Sequence, residues 1–186
     1  MSTAALTREE IVLRILAAFR EFGYEGASLG RLSSATGLGR SSLYHHFPKG
    51  KEDMANAAMS AVGAWFGENV LAALAGEQAP ARRLENFAGK LAEFYHQGEA
   101  SCLSDVFTIG EAGAVFQQRI GERMKVLIAA LAKIARESGV EQGEALRRAE
   151  DTVVRIQGSL IVSRALGDTA PFLRAMAQLP RQLLGE

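Results

Sequence analysis

The stretch Ser28-Leu29-Gly30-Arg31-Leu32-Ser33-Ser34-Ala35-Thr36-Gly37-Leu38-Gly39-Arg40-Ser41-Ser42-Leu43-Tyr44-His45-His46-Phe47 decides how this chain folds. Ser28 is a good N-cap, and Leu29, Leu32 and Ala35 follow it at helical spacing. Gly37 breaks that helix, and the pattern predicts a brief further helix from about Gly39 to His45. Two short helices joined at a glycine fit the helix-turn-helix, in which the second helix crosses the first and projects into the major groove of DNA. Such a helix needs an apolar inner face, which Leu38, Leu43 and Phe47 supply. Its outer face must be polar and short, and Gly39, Arg40, Ser41 and Ser42 meet that need.

Each outer residue has a chemical role available. The Arg40 guanidinium can bond two acceptors on guanine, and Ser41 and Ser42 can touch bases or phosphates. Tyr44 and His45, one turn on, are placed for the DNA backbone. Lys51 and the free amides after Gly50 open the next helix, where the positive dipole end suits a phosphate. Ser28, which starts its own helix, can bind a phosphate in the same way. His45 and His46 are adjacent, diverge on a helix, and make a poor pair of metal ligands.

Outward from this motif the helical period continues. Thr7-Arg8-Glu9-Glu10 reads as a capping box that opens a helix striped by Val12, Ile15, Leu16, Phe19 and Phe22, with Gly23 ending it. Pro48-Lys49-Gly50 is a turn before a long helix through Met54, Met59, Val62, Phe66 and Val70. After a loop from Gly76 to Pro80 comes a stripe at Leu84, Phe87, Leu91, Phe94 and Tyr95, then a short segment with Leu103, Val106 and Phe107. A long helix marked by Phe116, Ile120, Met124, Leu127, Leu131 and Ile134 closes at Gly139. Two final helices are predicted over about 141–166 and 170–184, with Pro180 kinking or ending the last. No strand alternation and no repeat stands out, so the expected fold is all-α.

The runs Ala18-Phe19-Arg20-Glu21-Phe22-Gly23-Tyr24-Glu25-Gly26-Ala27-Ser28-Leu29, Ala35-Thr36-Gly37-Leu38, Ser42-Leu43-Tyr44-His45-His46-Phe47 and Lys51-Glu52 resemble the head of the TetR/AcrR family over roughly residues 11–53. The resemblance implies a three-helix DNA-binding head over 1–50 and a helical ligand-binding and dimerisation body over 51–186. It implies a transcriptional regulator that binds a palindromic double-stranded DNA operator as a homodimer, represses, and is released by a small hydrophobic or aromatic effector. The family commonly has alanine near Thr36, serine near Gly39 and glycine near Ser41, so the operator sequence does not carry over. Ser101-Cys102-Leu103, ahead of Glu111, resembles the LmrA/YxaF-like subgroup.

The body carries two further expectations. The helix over 141–166 has one apolar stripe at Leu146, Ala149, Val153, Ile156 and Leu160 and a second at Val154, Ile161 and Ala165, which implies burial on both sides. With Phe172, Met176 and Leu179 of the last helix, Val153, Ile156, Leu160 and Ile161 are the candidate dimer interface. The alternative is a monomer that buries these stripes internally. A sensory pocket is expected from Trp65, Phe66, Phe87, Phe94, Tyr95, Cys102, Phe107, Phe116 and Met124, with His96 as a further polar member. Each of these side chains has an ordinary core role as its alternative, and Cys102 has a redox role as another.

Composition bounds the remaining classes. The 186 residues are 48% hydrophobic, ample for a core, and carry 21 basic and 21 acidic side chains. Zero net charge leaves DNA binding to local geometry and not to a global field. Residues 1–53 hold seven basic and six acidic groups, so the asymmetry is weak. A single cysteine excludes an internal disulfide. The polar N-terminus lacks the order of a signal peptide, and no uninterrupted apolar run of membrane-spanning length is evident. A cytoplasmic protein is expected. No metal-ligand spacing, nucleophile–base set or glycine-rich phosphate loop is visible, so neither an enzyme nor a cofactor is expected. The competing reading is an all-helical small-molecule-binding protein or enzyme without operator binding. A second rival is a family-like protein that has lost DNA binding and acts through a protein partner, against which Arg40, Tyr44 and Lys51 argue, and a third is activation in place of repression.

Overall fold

The computed structural model describes residues 6–185, and every element in that range is helical. The order is α1 (Arg8–Gly26), α2 (Leu29–Thr36), α3 (Arg40–His46), α4 (Lys51–Trp65), α5 (Pro80–Phe94), α6 (Leu103–Val106), α7 (Gly110–Glu137), α8 (Gln142–Leu166) and α9 (Ala170–Leu184). The capping box forms as the sequence dictates: the Glu10 amide donates to Thr7 Oγ1 at 3.2 Å, and the Thr7 amide donates to Glu10 Oε2 at 2.7 Å. Gly23 takes φ 69°, which interrupts regular α1 before a last turn carries the chain to Gly26.

Two hydrophobic cores form. The first joins Ile11, Ile15 and Phe19 of α1 to Leu32, Leu43 and Phe47, then to Met54 and Ala58 of α4. It does not stop at residue 50, because Leu103, Phe107, Phe116 and Ile120 of the later chain also enter it. The second core is built by α5, α7, α8 and α9 around Leu84, Phe87, Leu131, Leu160 and Phe172. In it α8 packs against both α7 and α9, and α5 against α9.

Three sequence expectations change. First, α4 does not continue as one regular helix: after Trp65 it widens into a π turn over Phe66–Val70 and tightens into a 3₁₀ turn over Leu71–Leu74. By length and by the mean hydropathy of its 18-residue window (1.2) the run Lys51–Leu74 is long and apolar enough to cross a membrane. Here Met54, Ala55, Ala58 and Met59 of that run are buried in the head core instead. Second, of the two effects open to Pro180, ending the helix is excluded: α9 runs through it over the expected span to Leu184. Third, the proposed dimer stripe is mostly internal. Val153, Ile156, Leu160, Phe172, Met176 and Leu179 are buried within the chain's own core, and Ile161 alone of that set is exposed. An α8 with two apolar faces gives one of them to α7 and α9, and the face left outward carries Leu146, Val154, Ile161, Val162 and Leu166.

Ionic ties fix the far end of the body. Arg83 is buried, pairs closely with Glu137 at the end of α7, and donates to the Leu74 carbonyl at 3.1 Å. At the start of α8, Arg147 and Arg148 hold the Glu144 carboxyl down to about 2.

Candidate nucleic-acid interface and effector cavity

The turn between α2 and α3 is held by local chemistry. Gly37 sits in the left-handed region at φ 72°, where a Cβ is disfavoured. Thr36 is fully buried, and its hydroxyl donates to the Leu32 carbonyl at 2.8 Å and accepts from the Leu38 amide at 3.3 Å. Ser33 Oγ donates to the Leu38 carbonyl at 2.6 Å, and Arg14 of α1 donates to the Thr36 carbonyl at 3.1 Å. The family's usual alanine near position 36 is thus replaced by a hydroxyl that stitches the turn.

This turn presents α3 with Leu43 and Phe47 buried and Arg40, Ser41, Ser42, Tyr44 and His45 exposed on the other side. Gly39 is the N-cap, with extended φ −65° and ψ 158°. The Tyr44 ring lies against Gly50: a Cβ there would sit 3.3 Å from Tyr44 Cε1, at a φ of 69°. Gly50 is therefore fixed twice, by conformation and by space. Ser28 caps α2 by accepting from the Arg31 amide at 3.3 Å and is exposed.

Lys51 stands apart from the rest of the expected contact set. Its ammonium lies 4.4 Å from the centre of the Tyr24 ring, and the side chain is half-buried. Tyr24 offers a π face that competes with solvent for the cation. The exposed cation of that turn is Lys49, whose amide donates to Asp53 Oδ2 at 2.7 Å. The sequence signal was the Lys49-Gly50-Lys51 pair, in which the glycine's unusual φ sends the two lysines different ways.

Head and body meet at an aromatic cluster. Phe19 and Tyr24 of α1 pack edge-on against Phe107, and Phe107 stacks on Phe116 at 5.1 Å. Phe107 and Phe116 therefore belong to this joint and not to the expected pocket. Beside them Glu25 Oε1 accepts from the Glu111 amide at 2.8 Å and the Ala112 amide at 3.4 Å. A head carboxylate thus caps the N-terminus of α7, where the helix dipole favours negative charge. Hydrogen bonds from its own amide and from Ala112 and Glu111, with Lys51 nearby, hold the Glu25 carboxyl below its usual range. Gly110, at φ 61°, leaves room for that carboxylate, which a Cβ would strike. Neither Glu25 nor Gly110 had a sequence signal, because the contact spans 86 residues.

A cavity of about 390 Å³ opens in the body, within the range of small-molecule sites. Of the expected pocket residues, Phe66, Phe94, Tyr95, Cys102 and Met124 line it. Phe87 is fully buried in the body core instead, and Trp65, half-buried, does not line the cavity but stacks with its ring 5.2 Å from that of Phe94. His96 is exposed at φ 48° on the turn after α5 and does not reach the cavity. Ile156, expected at a dimer seam, is a wall residue. At the buried end the Tyr95 hydroxyl donates to Cys102 Sγ at 3.4 Å, and burial pushes the Tyr95 hydroxyl well up. Sequence periodicity missed Arg119, Glu122, Arg123 and Val126, which also line the cavity. Their spacing is helical, but charged side chains on α7 read as a solvated face. Among the described residues no group of three or more His, Cys, Asp or Glu is placed to hold a metal ion.

Residues 11–58 match the family described as bacterial regulatory proteins of the tetR family. The match is confined to the head. Likeness to HTH-type transcriptional regulators also runs through the body. The chain is 22% identical over 183 residues to the HTH-type transcriptional regulator LmrA of Bacillus subtilis (strain 168), covering 94% of this chain and 95% of LmrA. It is 25% identical over 184 residues to YxaF, an HTH-type transcriptional regulator of the same strain, covering 97% and 96%. The fold matches that of the TetR-family regulator CifR, solved as a cysteine mutant with a 26-base-pair operator DNA. That match has a TM-score of 0.77 at 16% identity and covers 97% of this chain and 98% of CifR.

Proposed function

We propose that this chain is a ligand-responsive transcriptional repressor that binds operator DNA as a homodimer. One observation carries the reading: α3 buries Leu43 and Phe47 and turns Arg40, Ser41, Ser42, Tyr44 and His45 outward together. That is the arrangement a recognition helix needs, anchored on one side and polar on the other. The operator-bound state of CifR, a chain of the same fold, supports it. Arg40 reads bases, Ser28, Tyr44 and His45 meet the backbone, and Lys49 takes the phosphate role first given to Lys51.

The second copy docks on the outward face of α8. Val154 is 70% exposed and Ile161 50% exposed, and a Cβ at Gly158 between them would meet nothing within 4 Å of this chain. Small and apolar residues in one stripe allow close, twofold helix contact. The CifR operator of 26 base pairs exceeds two helical turns, which gives two heads related by such an axis room on one duplex. The body cavity takes a small hydrophobic or aromatic effector, and the protein works in the cytoplasm, where its DNA is.

The test is a gel shift on the chain's own upstream DNA at about 0.15 M salt with random-sequence competitor. Competitor-resistant binding at two chains per site is the expected result. If binding to that DNA and to genome-selected fragments is no tighter than to random DNA, the repressor reading fails.

A further inference from the structure

The cavity wall is not uniformly apolar, and its charges are arranged. Leu91, Tyr95, Cys102 and Ile156 form its buried end, all less than a twentieth exposed. Arg119, Glu122, Arg123 and Val126 recur at three- and four-residue spacing on α7 and form its exposed end, since such spacing puts them on one helix face.

Those two arginines are not equivalent. Arg119 is occupied by α4, donating to Asn56 Oδ1 at 3.2 Å and to Ser60 Oγ at 2.8 Å. Arg123 has no hydrogen bond or ion pair from its guanidinium among the described residues, although it is half-buried. Its guanidinium lies across Gly63 of α4, where a Cβ would fall 2.7 Å from Arg123 Cζ. The missing side chain at Gly63 is therefore what admits the cation to the wall. Glu122, the carboxylate of this stripe, is exposed, accepts from Gln118 Nε2 at 3.2 Å, and forms no ion pair with either arginine. Burial, and then the like charge of Arg119, press the Arg123 pKa downward. A partly desolvated cation beside another cation gains from a counter-charge.

We propose that the effector is an amphipathic anion, with an apolar ring system at the Tyr95–Ile156 end and one oxyanion group held by Arg123 beside Arg119. This rests on the effector reading of the cavity and names the chemical class the site selects. Guanidinium pairs with carboxylate, sulfonate or phosphate oxygens through paired N–H donors, so the geometry selects an oxyanion over a neutral polar group.

Two fluorescent probes that differ by the anion test it: anilinonaphthalene sulfonate, and phenylnaphthylamine, which has the same ring skeleton without the sulfonate. Each is titrated into the full-length protein, and mutual displacement shows that they share one site. The sulfonate is expected to bind tighter by about tenfold or more. Arg123→Gln should abolish that preference while leaving phenylnaphthylamine affinity within about twofold, which also certifies the fold. Glu122→Gln should strengthen it, and Gly63→Ala, by displacing the guanidinium, should weaken it. Equal binding of both probes, or a preference that survives Arg119→Gln and Arg123→Gln, overturns the anion assignment while leaving the cavity intact. Saturable binding of neither probe removes the effector reading and this inference with it.

Discussion

The guanidinium of Arg20, a head residue on α1, lies over the ring of Phe94, a wall residue of the body cavity, at 5.2 Å from its centre. Arg20 is mostly buried, its Nε has no hydrogen-bond partner, and burial presses its pKa downward. Phe94 in turn stacks on Trp65 of the helix that leaves the head. A ligand that moves Phe94 therefore meets the head through two contacts at once. Only a difference in affinity between two arrangements of these contacts can drive release from DNA. We predict that Arg20→Leu leaves probe binding in the cavity intact but brings the ratio of operator affinities, with and without saturating probe, toward one. A wild-type ratio of about 5–150 is the range for such coupling. Full retention of that ratio in the variant would show that the signal takes another route.

Arg40→Ala should cost about 1–3 kcal/mol of operator binding and relax the sequence preference at one position, if the side chain reads a base. Competition against single-position operator variants measures this. A loss equal across all sequences would reassign Arg40 to phosphate.

Thr36→Val keeps the shape of the buried side chain and removes its hydroxyl. The half-buried Leu38 amide then loses its acceptor at the turn before α3, a loss toward the lower end of the roughly 1–3 kcal/mol for a donor left unpaired. Chemical denaturation reads the stability, and an unchanged midpoint would mean that the turn is held by Ser33 and Arg14 alone.

The Glu25 cap gives a pH dependence of defined sign. Its carboxyl is lowered below 4.5 in the folded protein, so its stabilisation is complete above that value and is lost as pH falls through the lowered folded-state value. The melting-temperature gap between the wild type and Glu25→Gln should therefore be widest near neutral pH and close on acidification. A gap that stays constant down to strongly acidic pH would assign the effect to packing.

Val154→Arg and Ile161→Arg place charge on the outward face of α8, where neither side chain supports the chain's own core. Sedimentation should show a folded monomer in place of a dimer, with weakened operator binding. A dimer that persists would move the interface elsewhere.

The head was readable because its contacts are local. Thr7–Glu10, Ser28–Arg31 and the Gly37 turn each close within a few residues, and local chemistry leaves local signatures. The body was readable as helices but not as an assembly. Periodicity shows that α8 has two apolar faces, yet which one meets α7 and α9 depends on elements far along the chain. Val153 and Leu160 accordingly proved internal, and Val154 and Ile161 external. The aromatic residues suffered the same ambiguity: Phe94 and Phe107 look alike in sequence, but one lines the cavity and the other joins head to body. Arg123 was invisible, because its significance is the absence of a side chain at Gly63 on another helix.

The wide turn over Phe66–Val70 has a consequence for register. A π turn accommodates one more residue than an α turn, so everything beyond it is rotated by about 100° relative to an uninterrupted helix. Phe66 and Leu71 both line the cavity, five positions apart, a spacing that a regular helix would splay by more than a quarter of a circle. The cavity's roof is thus a product of changed helical phase, and one deleted residue between 66 and 70 would dismantle it without touching a single wall side chain.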